Sequence, residues 1–530
     1  MQITPSFPLG SLFQPLRLVG ASMVALMLAL GTSYAASAAA AADKGIVSAE
    51  DIDSLIQDRM EAHRIPGAAV AVVREGEVVH LAGYGHADPT GTPVDADTPF
   101  LIGSVSKPFT SLAVHQLVRA GDLALDQPIV PLLYDIVDDP AAGYEEVTIE
   151  HLLSHTSGLS MADGLAGTMK AHTGPDALRR RVREIMSKPL KGTPGERYEY
   201  SNAGAVLLAG VVEEVTGETF ADYLGSNVFG PLGMERTFAS ESHPAAADLA
   251  TGHRQWFGRW TPADLPYDLA GVPNGYIGST AADLARFMQA HLDGAPDEVM
   301  PFTAGEIGDW PATPTGWDMP LEAGHSTGWF VDDFEGETVV SHAGSLGHFT
   351  THLILAPDVN QLGIAVLTNA SAFVAAGHGG QYDLSLELSR MLLGADPQPT
   401  EPGVLMTTIA PAAAWTGALA VLAAAARFLR GGRRSLTSRQ HDRSWVRTVL
   451  PSVGYVGVGL ALVVAFPLDA ARHFYPDVGW GLTATAYFAV GWGAIRAIVV
   501  QLSRRRTRPV EPHKTVPAGQ PNEFTEAHWL

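Results

Sequence analysis

The sequence predicts an α/β domain whose two ends share one sheet, followed by three apolar spans. Three observations carry that expectation. Residues 48–85 read as a helix and then two strands, whereas residues 328–393 read as several strands and a closing helix. The stretch between them is largely helical, which makes it an insert in the sheet layer. Apolar runs at 404–426, 448–468 and 479–502 follow a Pro-rich linker, "GADPQPTEPG", at 394–403.

Each element has a local cause. Residues 1–42 read as a signal peptide: Arg17 alone is charged before "LVGASMVALMLALG", and small residues follow, with cleavage after Ala38 or Ala42. "SAEDIDSLIQDRMEAHRI" begins with a capping-box-like Ser48 and Asp51 and reads as a helix. "GAAVAVVREGEVVHLAGYG" reads as two strands joined near Glu75-Gly76. "FTSLAVHQLVRAGDL" reads as a helix ending at Gly121, and "NAGAVLLAGVVEEVTG" as a helix with a glycine stop. Residues 294–323, rich in Gly, Pro and acid with Trp310 and Trp317, read as a long surface insertion. "GWFVDDFEGETVVSHAG" and "FTTHLILAPDVNQLGIAVLTNAS" supply strands, and "YDLSLELSRMLLG" the closing helix.

The three apolar runs are each long enough to span a bilayer. Seven arginines and one aspartate lie between the first two, at 427–447, and "SRRRTR" follows the third. The segment between the second and third has one arginine and two aspartates. Positive charge stays on the cytoplasmic side. Residues 427–447 and the tail at 503–530 are therefore expected inside, and the domain at 43–393 outside, as the signal peptide independently requires. Arg496, near the inner end of the third span, is expected to snorkel to the interface.

The 530 residues carry a formal net charge of −22, unevenly spread. Residues 1–403 hold 20 Lys+Arg against 50 Asp+Glu, and residues 404–530 hold 14 against 6. An acidic body argues against nucleic-acid binding. With no cysteine, disulfides, zinc thiolate sites and a cysteine nucleophile are excluded.

Three short segments carry chemistry. In "FLIGSVSKPFTSL", Ser104 and Lys107 are three apart, which on a helix places them side by side. Ser104 as a helix start with an exposed lysine is one reading. The other is a serine nucleophile with a desolvated lysine as its base. In "PGERYEYSNAGAVLLAG", Tyr200 has the chemistry of a proton shuttle if nearby cations depress its pKa. Asn202 offers an amide to a substrate carbonyl, or serves as a plain N-cap. In "VVSHAGSLGHF", His342 sits at a strand edge, and Gly344 lets a substrate approach the backbone. The N–H groups of Ser345 and Ser104 would make an oxyanion hole. His151 and His155 in "HLLSH" have zinc-protease spacing but lack its glutamate, so no metal is expected. "AGSLG" lacks the first glycine of a nucleophile elbow.

Ser-x-x-Lys, Tyr-x-Asn and His-x-Gly, in that order, resemble the serine β-lactamase and penicillin-binding-protein superfamily. The tyrosine opening the second motif resembles the class C branch with its D-Ala-D-Ala carboxypeptidase, D-aminopeptidase and esterase relatives, whereas the histidine opening the third is more similar to the carboxypeptidase and peptidase side than to true class C β-lactamases, which carry lysine. "IEHLLSHTSGL", "FADYLGSNVFGPLGMERT" and "GSTAADLARFMQAHL" extend the resemblance over roughly residues 48–393. The resemblance implies an antiparallel sheet flanked by helices, with a helical subdomain. It implies Ser104 as the acylated nucleophile, Lys107 as its base, Tyr200 as the shuttle to the leaving group and His342 as electrostatic support. Asn202 would bind the substrate amide, Gly344 would admit the substrate, and the Ser104 and Ser345 N–H groups would hold the oxyanion. No cofactor is implied. Expected partners are a small peptide, ester or β-lactam substrate and membrane lipid. Relatives usually carry a hydroxyl residue where this chain has Ala343, which weakens recognition of a β-lactam or a terminal D-Ala. The favoured expectation is a periplasm-facing membrane peptidase on small or D-residue-containing peptides, of cell-wall or linearised microcystin-like type. An esterase, a β-lactamase and an acylated membrane sensor are the alternatives; the cytoplasmic segments are too short for a sensor's effector domain.

Overall fold

The computed structural model describes residues 47–168, 171–315, 321–371, 380–398, 408–435, 444–465, 468, 471–472 and 475–506. The expected signal peptide, the second half of the linker, Trp317 and the tail beyond residue 506 lie outside the described residues.

Helix α1 (Ala49–His63) begins at the expected capping box, where Ser48 Oγ accepts the Asp51 N–H at 3.1 Å. Strands β1 (Gly67–Arg74) and β2 (Glu77–Gly85) turn at Glu75-Gly76, both at positive φ. Strand β3 (Phe100–Leu101) leads into a 3-10 turn, Gly103–Val105, and then α2 (Ser106–Ala120), which Gly121 ends in the left-handed conformation. The helical layer follows: α3 (Ile129–Leu132), α4 (Ile149–Leu153), α5 (Met161–Thr168), α6 (Ala177–Met186), α7 (Asn202–Thr216) and α8 (Phe220–Leu224). A hairpin of β4 (His253–Trp256) and β5 (Arg259–Pro262), then β6 (Gly278–Ser279), α9 (Ala281–Asp293) and α10 (Ala304–Asp309), lead back to the sheet.

The late strands are β7 (Thr313–Pro314), β8 (Gly324–Ser326), β9 (Trp329–Phe334), β10 (Glu337–Ser345), β11 (Thr350–Ala356), β12 (Leu362–Thr368) and β13 (Ala370–Ser371), before α11 (Gly380–Leu392). Among the described residues, eight strands form one antiparallel sheet in the order β2-β1-β12-β11-β10-β9-β8-β7. The first and last parts of the domain meet where β1 pairs β12, with Val70 opposite Val366. Side chains alternate across a strand. Ala69, Ala71 and Val73 of β1 therefore join the core under the helical layer, while Ala68, Val70 and Val72 join a second core with α1 and α11. A strand buried on both faces has to be apolar throughout, which is what "GAAVAVV" supplies.

The described residues of the 294–323 stretch, 294–315 and 321–323, are not simply the surface insertion the composition suggests. Met300, Phe302, Ala304 and Ile307 are buried in the helical-side core. The Trp310 ring stacks on His115 at 5.5 Å. Apolar residues spaced among the glycines and prolines drive this packing, and overall composition hides them.

Helices α12 (Ala410–Ser435), α13 (Ser444–Ala465) and α14 (Pro476–Arg506) pack together through small residues. A Cβ on Gly481 would lie 2.8 Å from Ala414 Cβ, and one on Gly417 would lie 3.0 Å from Thr485 Oγ1, so α12 and α14 run parallel. Gly459 faces Ala486 and Val490 while Gly493 faces Ser452 and Val456, so α13 runs the other way. Among the described residues, Ala410–Arg430 and Pro476–Leu502 are long and apolar enough to cross a membrane. The middle helix is not: its apolar part is only Leu450–Val464, with Pro451 near its start. Fifteen residues rise about 22 Å, short of the ~30 Å hydrocarbon layer. Arg496 Nη1 donates to Ser452 Oγ at 3.0 Å, and its guanidinium lies 5.2 Å from the Phe428 ring centre.

Candidate active site

Ser104 lies in the 3-10 turn that feeds α2, and Lys107 in the first turn of the helix. Lys107 Nζ donates to Ser104 Oγ at 2.9 Å and to the Asn274 carbonyl at 3.1 Å. The lysine is only 3% exposed, and no carboxylate pairs with it among the described residues. Burial therefore pushes its pKa well below the ordinary amine range. A neutral amine beside a serine hydroxyl can take its proton. Ser106, the neighbouring serine, accepts the Ile277 N–H instead and is fully buried.

Tyr200 precedes α7. Its hydroxyl donates to Ser104 Oγ at 2.8 Å, and its ring centre lies 4.8 Å from Lys107 Nζ. Its pKa is not depressed, as the sequence led us to expect, but raised. Burial drives it up, and the Ser104 hydrogen bond opposes it only in part. Burial also disfavours the charged forms of Lys107 and His342, the two groups whose positive charge would depress it. His342 is fully buried, with its Nδ1 against the Ala343 carbonyl at 2.8 Å and its ring tilted on Phe330. Burial, then the nearby Lys107, hold it well below the usual imidazole range.

Asn202 is the first residue of α7 and not its cap: Ser201 Oγ accepts the Ala203 N–H. The Asn202 carbonyl accepts from Asn274 Nδ2 at 3.4 Å. Its side-chain oxygen and that of Asn274 are buried with no hydrogen-bond partner among the described residues. The end of β10 lies hard against the Ser104 turn. A Cβ on Gly344 would sit 2.1 Å from the Ile102 carbonyl and 3.0 Å from the Ser104 nitrogen. One on Gly103 would lie 2.7 Å from the Ser345 nitrogen. The two backbone segments therefore lie in direct contact beside Ser104. Ser345 Oγ is hydrogen-bonded to Ser371 Oγ at 2.7 Å, so its hydroxyl already has a partner.

Several site residues escaped the sequence. Asn274 acts through its main chain, which no side-chain pattern reports. His155 adopts a left-handed backbone at φ 56°, its Nδ1 accepts the Ser201 N–H at 3.3 Å, and its ring centre lies 4.6 Å from that of Tyr200. His325 packs on His155 at 4.6 Å, and burial lowers its pKa to about 3. The "HTSG" turn after α4 was the available signal for His155; His325 had none. Among the described residues no His/Asp/Glu group is arranged to hold a metal ion.

Glu322 is the remaining titratable neighbour. Burial pushes its carboxyl up to about 7, and its charge acts on Tyr198 and Tyr200. A carboxyl raised in the folded state binds a proton that the unfolded chain has lost, so stability is lost as pH rises from its ordinary 4.5 to about 7. Replacing Glu322 with Gln is expected to remove this component. Tm measured from pH 4 to 8 would show the variant gaining on the wild type across that window, and parallel curves would contradict it.

Residues 52–386 match the family model described as Beta-lactamase. Penicillin-binding protein 4 of Amycolatopsis lactamdurans is 32% identical over 336 residues, which cover 59% of this chain and 84% of the relative. An unguisins hydrolase of Aspergillus campestris is 29% identical over 356 residues, so the match spans 64% of each. Among solved structures, the octameric penicillin-binding protein homologue from Pyrococcus abyssi superposes with a TM-score of 0.56 at 26% identity, covering 68% of this chain and 81% of that one.

Proposed function

This chain belongs to the beta-lactamase family, and from that premise we propose that it is a membrane-anchored serine peptidase acting outside the cytoplasm through a Ser104 acyl-enzyme. The observation that carries this is Ser104 Oγ held 2.9 Å from Lys107 Nζ and 2.8 Å from the Tyr200 hydroxyl. In the reaction, Ser104 Oγ attacks the substrate carbonyl and gives its proton to neutral Lys107. The oxyanion forms between the N–H groups of Ser104 and Ser345. Tyr200 delivers a proton to the leaving nitrogen and is reprotonated from Lys107. Water then attacks the ester and restores the serine. His342, neutral, supports this cluster by packing and polarity and not as a cation.

The buried acceptors Asn202 Oδ1 and Asn274 Oδ1 favour a peptide over a simple ester. Left unpaired they destabilise the site, and a substrate amide N–H satisfies them. The names of two relatives, a penicillin-binding protein and an unguisins hydrolase, are compatible with peptide-like substrates. Small or D-residue-containing peptides are the class we favour. Anchoring is supported by the two long apolar helices and, in the sequence, by the arginines concentrated from residue 427 to 447 and from 504 to 508. The middle helix would complete a third span by local thinning of the bilayer.

A screen of the full chain in detergent tests the substrate class. D-residue peptides are expected to be cleaved with kcat/KM at least tenfold above short acyl esters and nitrocefin. Preference for the esters or for nitrocefin would overturn the peptidase reading.

A further inference from the structure

The hairpin β4–β5 runs from the catalytic centre to the N-terminal parts of α12 and α14. At its base, Arg254 pairs with Ser371, whose hydroxyl is 2.7 Å from that of Ser345. At its tip, the Phe257 N–H donates to Asp477 Oδ2 at 2.8 Å, at the start of α14. Trp415 Nε1 of α12 donates to the Asp477 carbonyl at 2.9 Å, and its ring centre lies 6.5 Å from that of Phe257. Trp480, 46% exposed, lies one turn further along α14 and carries Arg472 on its face.

The turn itself is unusual. Phe257 and Gly258 have φ of 48° and 71°, the two-residue hairpin geometry that favours Asn-Gly. Phenylalanine pays a backbone penalty there, yet its ring is 46% exposed. An exposed aromatic kept against its conformational preference, beside Trp256, Trp415 and Trp480, matches the aromatic belt at a membrane surface.

We propose that this hairpin seats the hydrolase on the outer leaflet, and that the substrate is a peptide carried on a lipid anchor in the same membrane. The proposal rests on the serine-peptidase reading above. Arg254 to Phe257 is three strand residues, about 10 Å. The site rim therefore stands some three extended residues, about 10 Å, above the aromatic layer. A peptide bond three or more extended residues from an alkyl anchor reaches the rim of the site while the anchor itself stays in the bilayer.

The test uses the full chain in phosphatidylcholine vesicles. The probe is one fluorogenic D-alanyl peptide, either free in water or joined through three residues to a dialkylglycerol in the same vesicles. The anchored probe is expected to be cleaved at least tenfold faster at equal bulk concentration. Phe257→Asn suits the turn and should leave Tm unchanged or higher. It is expected to cut that advantage at least fivefold while free-probe kcat/KM stays within twofold. No advantage for the anchored probe, or an advantage that Phe257→Asn leaves intact, would overturn the proposal. Should Phe257→Asn lower both rates together, Trp256→Ala, which leaves the turn backbone alone, must show the selective loss or the proposal fails. If the wild type cleaves neither probe, the peptidase reading fails first.

Discussion

Lys107→Ala is expected to lower kcat/KM by about a thousandfold or more, within the range a positioned base supplies. Among the described residues the lysine is the amine touching Ser104 Oγ, and its burial lowers its pKa, which favours the form able to accept a proton. The pH profile separates this role from a structural one. A pKa lowered by burial means that the base is disabled only when pH falls through that lowered value. Wild-type kcat/KM should therefore decline on the acid side, and the alanine variant should lose that limb. Lys107→Arg should not restore activity, because a guanidinium stays charged in proteins. Steady-state kinetics from pH 5 to 9 on the three proteins checks this. A Lys107→Ala enzyme within tenfold of wild type would remove the lysine from the chemistry.

Gly344→Ala is expected to damage both stability and turnover. The new Cβ would stand 2.1 Å from the Ile102 carbonyl and 3.1 Å from the Val105 nitrogen, so backbone and not a pliant side chain must yield. Overpacking of this kind typically destabilises by about 1–3 kcal/mol. The displaced strand also carries the Ser345 N–H away from Ser104. An ångström of misplacement is worth about a hundredfold in rate. Thermal melts and kcat/KM should fall together, and a variant with wild-type values for both would contradict the close approach of β10 to the Ser104 turn.

The legible parts of this fold and site were those written in local spacing. The capping box at Ser48, the turn at Glu75-Gly76 and the stop at Gly121 each depend on neighbours within a few residues, as does the Ser104–Lys107 pair. Tyr200 and Gly344 could be singled out because their flanking patterns announced a helix start and a strand edge. The illegible parts arise from contacts distant in the chain. Asn274 offers Lys107 a carbonyl that every residue possesses. Glu322 enters the site from a stretch whose composition suggested surface, and His325, just beyond it on β8, had no pattern to mark it. The sign of the Tyr200 shift needed the burial of Lys107 and His342, which no pattern of residues prints. All three apolar runs looked long enough to span, with the Ala-rich first run the weakest, yet among the described residues it is the first and third that fold into helices with a long enough apolar stretch.

The central claim is that catalysis passes through an acyl group on Ser104. Intact-protein and peptide mass spectrometry of an acid-quenched reaction, with a slow D-alanyl ester as substrate, reads it directly. One acyl adduct per chain on the peptide holding Ser104, present within the first turnover and missing from Ser104→Ala, is the expected result. An adduct on another residue, or undiminished turnover by Ser104→Ala, would contradict it.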